Sequence, residues 1–230
     1  MQVFVPIRCS KKRHYHRTEK MIEVKNAKLI VGEATLFKDL SFIVNEGSMV
    51  GLSGPSGSGK TTLLKAFMGF ATLDDGILSF DGEPITPTTS EYFRKYTAYI
   101  PQDTTFHCTT VQELVRMPFA LKTNGHLPFS RELLFREWDM LDLSPTLYDK
   151  KTDEISGGER QRIMLSLCGL LEKRIMLIDE PTSALDERAT ELVGEYLKRF
   201  TVRGAAILTV SHSPMFLQYC HKVVHINQQT

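Results

Sequence analysis

The sequence predicts an α/β domain built around a mainly parallel sheet. Three observations carry this. Strand-like and helix-like segments alternate along most of the 230 residues. "IEVKNAKLI" and "LSFIVN" alternate apolar with polar residues, as antiparallel strands with one covered face do. "RIMLID" is a continuous apolar run of the kind buried on both faces of a parallel sheet.

In chain order, "GSMVGLS" reads as a short buried strand leading into "GPSGSGKTT". "LLKAFMGF" continues as a helix that stops near Gly69. "GILSFDGEPI" reads as a hairpin turning at Asp81-Gly82, and "YTAYIPQ" as a further strand. Residues from about 104 to 171 become mostly helical, with apolar spacing in "VQELVRMPFAL" and "RELLFREWDML". After "RIMLID", "ERATELVGEYLKRF" is an amphipathic helix, "AAILTVS" a strand, "PMFLQYC" a short helix and "KVVHIN" a final strand.

This length suits one domain, here residues 21–230, and the composition, 42% hydrophobic and 24% charged, is that of an ordinary globular chain. No apolar run approaches the ~18 residues of a bilayer span, so any membrane partner is expected to be a separate chain. The net charge of +1 gives no pointer to nucleic acid. That charge is uneven: residues 1–20 carry +5 and the remainder −4. The basic extension reads as a solvated tail, as sequence upstream of a true start at Met21, or as a site for anionic lipid or RNA. It lacks the apolar stretch of a signal peptide. Cys9, Cys108, Cys168 and Cys220 are scattered without a CxxC pair, which suits a reducing, cytosolic setting.

The chemistry is concentrated in a few motifs. Gly54-Pro55-Ser56-Gly57-Ser58-Gly59-Lys60-Thr61 matches GxxxxGK[ST] in full, between a buried strand and a helix. Its glycines allow a tight loop whose N–H groups point at phosphate oxygens, helped by the helix N-terminus. Lys60 is placed to reach β/γ-phosphates and the Thr61 hydroxyl to ligate Mg²⁺. Asp179 and Glu180 end an apolar strand: Asp179 as a Mg²⁺ ligand, Glu180 as the general base. His212 and Gln102, each just after a strand, carry no such argument from physics alone.

Together with "ISGGERQR", they do. The P-loop through Thr62, a glutamine after a strand, an SGG turn, "LIDEPTSALD" and a histidine after the next strand closely resemble the ATP-binding cassette (ABC) ATPase family over residues 22–226. The resemblance implies a RecA-like P-loop NTPase core with a mainly parallel sheet, an antiparallel β subdomain and a helical signature subdomain. It implies two such domains, most simply a homodimer, sandwiching ATP head to tail. Ser156, Gly157, Gly158 and Glu159 would then act in trans on the nucleotide held by the opposite P-loop (Gly54, Ser56, Gly57, Ser58, Gly59, Lys60, Thr61 and Thr62). Gln102 resembles the residue touching Mg²⁺ and the lytic water. Glu180 resembles the catalytic base and His212 the histidine that orients it. Ser183, Ala184, Leu185 and Asp186 resemble the loop that crosses the dimer interface.

Four positions depart from the family's usual pattern: Ile155 and Glu159 in the signature, Ser213 after the histidine, and Val31 where an adenine-stacking aromatic is expected. Valine has no π-face, so weak discrimination between ATP and GTP is expected. The resemblance further implies an ATPase subunit at the cytoplasmic face of a membrane. It would couple to a separate permease near residues 103–120, including Phe106, Met117 and Phe119. The compact bacterial iron or metal efflux type is the subgroup suggested. A soluble ABC ATPase, for example in iron–sulfur assembly, is the alternative; the signature turn argues against a P-loop kinase.

Overall fold

In the computed structural model, which describes residues 20–103 and 108–227, the alternating segments build two sheets. Lys20–Val31 (β1) and Ala34–Asn45 (β2) form a long antiparallel hairpin whose two-residue turn begins at Gly32. Met49–Ser53 (β3) follows, then the phosphate loop, then the helix Lys60–Phe67 (α1). That helix closes at Gly69, where the Gly69 and Phe70 N–H groups return to the Ala66 and Lys65 carbonyls. Asp75–Phe80 (β4) and Glu83–Pro84 (β5) complete the first sheet in the order β2-β1-β4-β5.

Ser90–Lys95 (α2), which no periodicity announces, precedes Thr97–Ile100 (β6). Val111–Arg116 (α3) ends earlier than the apolar spacing predicts. Residues Met117–Ala120 tighten into a 3₁₀ turn at Pro118, which has no N–H to continue an α-helix. Arg131–Asp139 (α4) and Gly157–Leu171 (α5) pack against each other. Ile175–Asp179 (β7), Glu187–Val202 (α6), Ala206–Val210 (β8), Pro214–Leu217 (α7) and Lys222–His225 (β9) complete the chain. The second sheet has the order β6-β7-β8-β3-β9, with every neighbouring pair parallel.

The parallel sheet separates two apolar cores. Alternate residues of β7 face opposite ways. Met176 and Ile178 join the helical side with Trp138, Leu134 and Leu165. Ile175 and Leu177 join α1 and the antiparallel sheet, with Leu63, Phe67, Phe37 and Val24. All five residues of β7 are buried, as the continuous apolar run requires. Among the described residues no helix is long and apolar enough to cross a membrane. The basic stretch 1–20, save the start of β1 at Lys20, lies outside the described residues, as does Phe106. Met117 is exposed, and Phe119 is half-buried edge-on against Phe129 with ring centroids 5.4 Å apart.

Candidate active site

Because the sheet is parallel, the loops after β3, β6, β7 and β8 all leave its carboxyl edge. They border a single cleft of about 700 Å³, lined by Pro55–Thr62, Gln102, Asp179, Glu180 and His212 among others. Gly54, just outside that lining, is shaped by its neighbour: a Cβ there would lie 2.2 Å from the Ile226 carbonyl oxygen after β9. Gly59 has φ 89, and a Cβ would meet Leu29 Cδ2 at 2.8 Å and Phe37 Cε1 at 2.9 Å. The antiparallel sheet is thus packed directly onto the phosphate loop.

The Lys60 ammonium donates to the Gly54 carbonyl at 2.8 Å, the Pro55 carbonyl at 2.7 Å and Ser58 Oγ at 3.3 Å. Burial lowers its pKa, while the Glu180 and Asp179 carboxylates push it back up. Asp179 is 1% exposed and both its carboxylate oxygens are buried without a hydrogen bond. Burial raises its pKa, against the opposing pull of the adjacent Thr61 hydroxyl, Lys65 and Lys60. An unsatisfied carboxylate beside a threonine hydroxyl, facing a phosphate loop, fits a hard divalent cation that keeps its other positions for phosphate and water.

Glu180 takes φ 51, a left-handed conformation that costs a non-glycine residue about 1–2 kcal/mol. Its N–H donates to the Val210 carbonyl at 3.0 Å. Its Oε1 lies 3.3 Å from His212 Nε2, and Oε2 accepts from the His212 N–H at 3.4 Å. Burial raises the Glu180 pKa, with His212 opposing. A carboxylate so held, with its basicity raised by desolvation, can take a proton from water.

The signature turn lies outside this lining. Ser156 caps α5: its Oγ accepts from the Glu159 N–H at 3.1 Å, while Glu159 Oε2 accepts from the Ser156 N–H at 2.7 Å. The Glu159 carboxylate is therefore turned back on its own helix, and these bonds lower its pKa. Gly157 and Gly158 form the first turn, at a helix end suited to an anion. Ile155 is buried in the helical core. Of the residues after Glu180, Ser183 lines the cleft, Ala184 and Leu185 pack on the signature glycines, and Asp186 caps α6 through the Ala189 N–H at 2.8 Å. Ser213 caps α7 by accepting from the Phe216 N–H, a task serine performs as well as aspartate.

Val31 does not line the cleft; it lies at the tip of the β1–β2 hairpin, 57% exposed. Leu36 of β2 lines it instead. Gln161, which sequence reading passed over, is 5% exposed and hydrogen-bonded to the loop after Glu180. Its one sequence signal is an uncharged polar residue amid "ERQRIML".

A phosphate loop and a strand-end acid pair meeting a histidine at one sheet edge define a P-loop nucleotide hydrolase. A family model described as ABC transporter matches residues 37–183, and the chain belongs to that family as an ATP-hydrolysing subunit. It is similar to the "Probable iron export ATP-binding protein FetA" of Escherichia coli (strain K12), 29% identical over 206 residues that cover 89% of this chain and 90% of that one. It is 32% identical over 192 residues to the "Nod factor export ATP-binding protein I" of Burkholderia orbicola, covering 83% of this chain but 62% of that one. The fold matches that of MJ0796, solved as a dimeric bacterial ABC transporter cassette, with a TM-score of 0.79 over 90% of this chain and 94% of that one at 23% identity. A solved ATP-binding subunit of an ABC transporter is 26% identical with a TM-score of 0.76, over 91% of this chain and 88% of that one.

Proposed function

We propose that this chain pairs with a second cassette and with a separate transmembrane permease at the cytoplasmic face of a membrane, where ATP-driven closure of the pair moves the permease. The observation that carries this is a division of labour within one chain. The P-loop, Glu180 and His212 share one cleft, while the capped helix end at Ser156–Gly158, of a kind suited to an anion, lies outside it. A half-site on another surface has a use only if a second cassette supplies the nucleotide.

On this reading Gly54–Thr62 bind the phosphates, and Lys60 exchanges its three loop acceptors for phosphate oxygens. Thr61, Asp179 and Gln102 hold Mg²⁺, which when bound neutralises phosphate charge. Glu180 accepts the proton of the attacking water, and His212 fixes the Glu180 carboxylate. The loop Ser183–Asp186 sits at the seam between cassettes. Met117 and Phe119 face the permease. FetA, of similar length and described as a probable iron export ATP-binding protein, makes metal-ion export the first substrate class to test.

The experiment is co-purification of Glu180→Gln from native membranes in mild detergent with Mg·ATP. A stoichiometric polytopic membrane protein is expected. A clean soluble dimer, or soluble assembly factors in its place, would overturn the permease assignment.

A further inference from the structure

The geometry points to Gln161 as the residue that positions Glu180 and ties the signature turn to the chain's own cleft; this rests on the reading of Glu180 as the base. Gln161 lies about one turn into α5, 5% exposed. Its Nε2 donates to the Glu180 carbonyl at 2.5 Å and approaches Ser183 Oγ at 3.5 Å. Its Oε1 accepts from the Ala184 N–H at 3.3 Å.

Glu180 cannot rest in its φ 51 conformation without support from its surroundings. Its N–H is held by the sheet, through the Val210 carbonyl. Its carbonyl receives three donors: Gln161 Nε2 at 2.5 Å, Ser183 Oγ at 3.3 Å and the Ser183 N–H at 3.4 Å. The shortest comes from another element, so Gln161 fixes the direction from which the Glu180 side chain departs. A neutral amide of this length supplies both a donor and an acceptor here: an ionised Glu lacks the donor, and Met lacks the donor and offers only a weak sulfur acceptor.

The same helical turn begins at Ser156 and is wedged against the loop after Glu180. A Cβ on Gly158 would lie 2.9 Å from the Ala184 carbonyl oxygen and 3.1 Å from Leu185 Cδ2. A shift in the start of α5 therefore reaches Glu180 through one side chain. In the proposed sandwich that turn receives the γ-phosphate bound by the opposite cassette, so Gln161 makes hydrolysis at one site depend on occupancy of the other.

The test is ATP hydrolysis by the purified full chain, in steady state and in single turnover, for Gln161→Met, Gln161→Glu and Glu180→Gln. Thermal melting checks the fold of each; should Gln161→Met not fold, the isosteric and polar Gln161→Glu carries the test. Expected for both Gln161 variants is a fall in kcat of roughly tenfold or more with KM for ATP within about threefold, since small misplacements of a reacting group cost rate steeply. The Glu180→Gln, Gln161→Met double variant should be no slower than Glu180→Gln alone. A folded Gln161 variant with wild-type kcat, or a loss confined to KM, would overturn the assignment. Wild-type turnover by Glu180→Gln would instead sink the reading of Glu180 itself.

Discussion

The Tyr196 hydroxyl on α6 donates to Glu137 Oε2 on α4 at 2.6 Å, joining the two helices through a part-buried phenol–carboxylate bond. Arg199 lies 3.7 Å from the same carboxylate oxygen, and the Trp138 indole N–H reaches Ser166 Oγ nearby at 3.1 Å. Tyr196→Phe deletes the shorter partner and leaves a largely buried carboxylate under-satisfied. The expected loss is about 1–3 kcal/mol, measured by urea unfolding. A change below 0.5 kcal/mol would mean that Arg199 alone satisfies Glu137.

Burial pushes the Cys168 thiol up to about 12 from 9.0. The folded state keeps its proton where the unfolded chain loses it, so stability is full below about pH 9 and falls as pH rises toward 12, at up to about 1.4 kcal/mol per pH unit. Cys168→Ala should flatten that part of the alkaline decline in melting temperature. An unchanged alkaline slope in the variant would place the decline elsewhere, with Tyr196, whose phenol burial and Glu137 also raise, as the next candidate.

Glu159 closes the box at the start of α5, and its lowered pKa means the opposite pH sign. Its contribution is present above about pH 4.3 and is lost as pH falls through the folded value. Glu159→Ala should cost about 0.5–2 kcal/mol at neutral pH, and Glu159→Gln, which keeps an acceptor, much less. Denaturant unfolding at pH 7 and pH 3.5 checks this: the cost of Glu159→Ala should shrink at the lower pH.

Asp179 is costly to the folded chain: its carboxyl is buried, burial raises its pKa, and only the Thr61 hydroxyl and nearby lysines oppose that. Asp179→Asn should raise the nucleotide-free melting temperature by about 2–4 °C, the shift expected for roughly 1 kcal/mol in a chain of this size. It should also reduce Mg²⁺-dependent ATP turnover at least a hundredfold. A variant both less stable and inactive would show that the carboxylate supports the fold.

Leu36 lines the cleft and Val31 lies exposed at the hairpin tip, so a base bound on that side would meet an aliphatic surface. ATP and GTP should be hydrolysed with kcat/KM values within about tenfold of each other, because dispersion contact reads no base edge. Leu36→Ala should raise KM for both about equally. A preference for ATP above a hundredfold would require a base contact elsewhere.

The motifs legible in the sequence were those fixed locally. Gly54–Thr61 needs only a strand before it and a helix after it, and "RIMLID" needs only its unbroken apolar run. What was not legible was either too short or interrupted to show a period, or depends on residues far apart in sequence. Ser90–Lys95 is too short for a period to show. Met117–Ala120 tightens because Pro118 interrupts an apolar spacing that otherwise reads as helix. Leu36 displaces Val31 at the cleft because the lining depends on where the β1–β2 hairpin lies over the phosphate loop. Gln161 looks like one more polar residue on a helix until Glu180 is seen to turn its carbonyl toward it.

The place of β3 in its sheet has a consequence in time. Its two neighbours are β8 and β9, roughly 150 residues or more further along, since Val50 pairs with Leu208 on one side and with Lys222 on the other. A chain emerging from the ribosome at roughly 5–20 residues per second holds its phosphate loop for several seconds before either flanking strand exists. The nascent protein therefore carries the residues for nucleotide binding long before it has the sheet that aims them. The capacity to hydrolyse ATP therefore waits on β8 and β9, whatever the phosphate loop has bound before them.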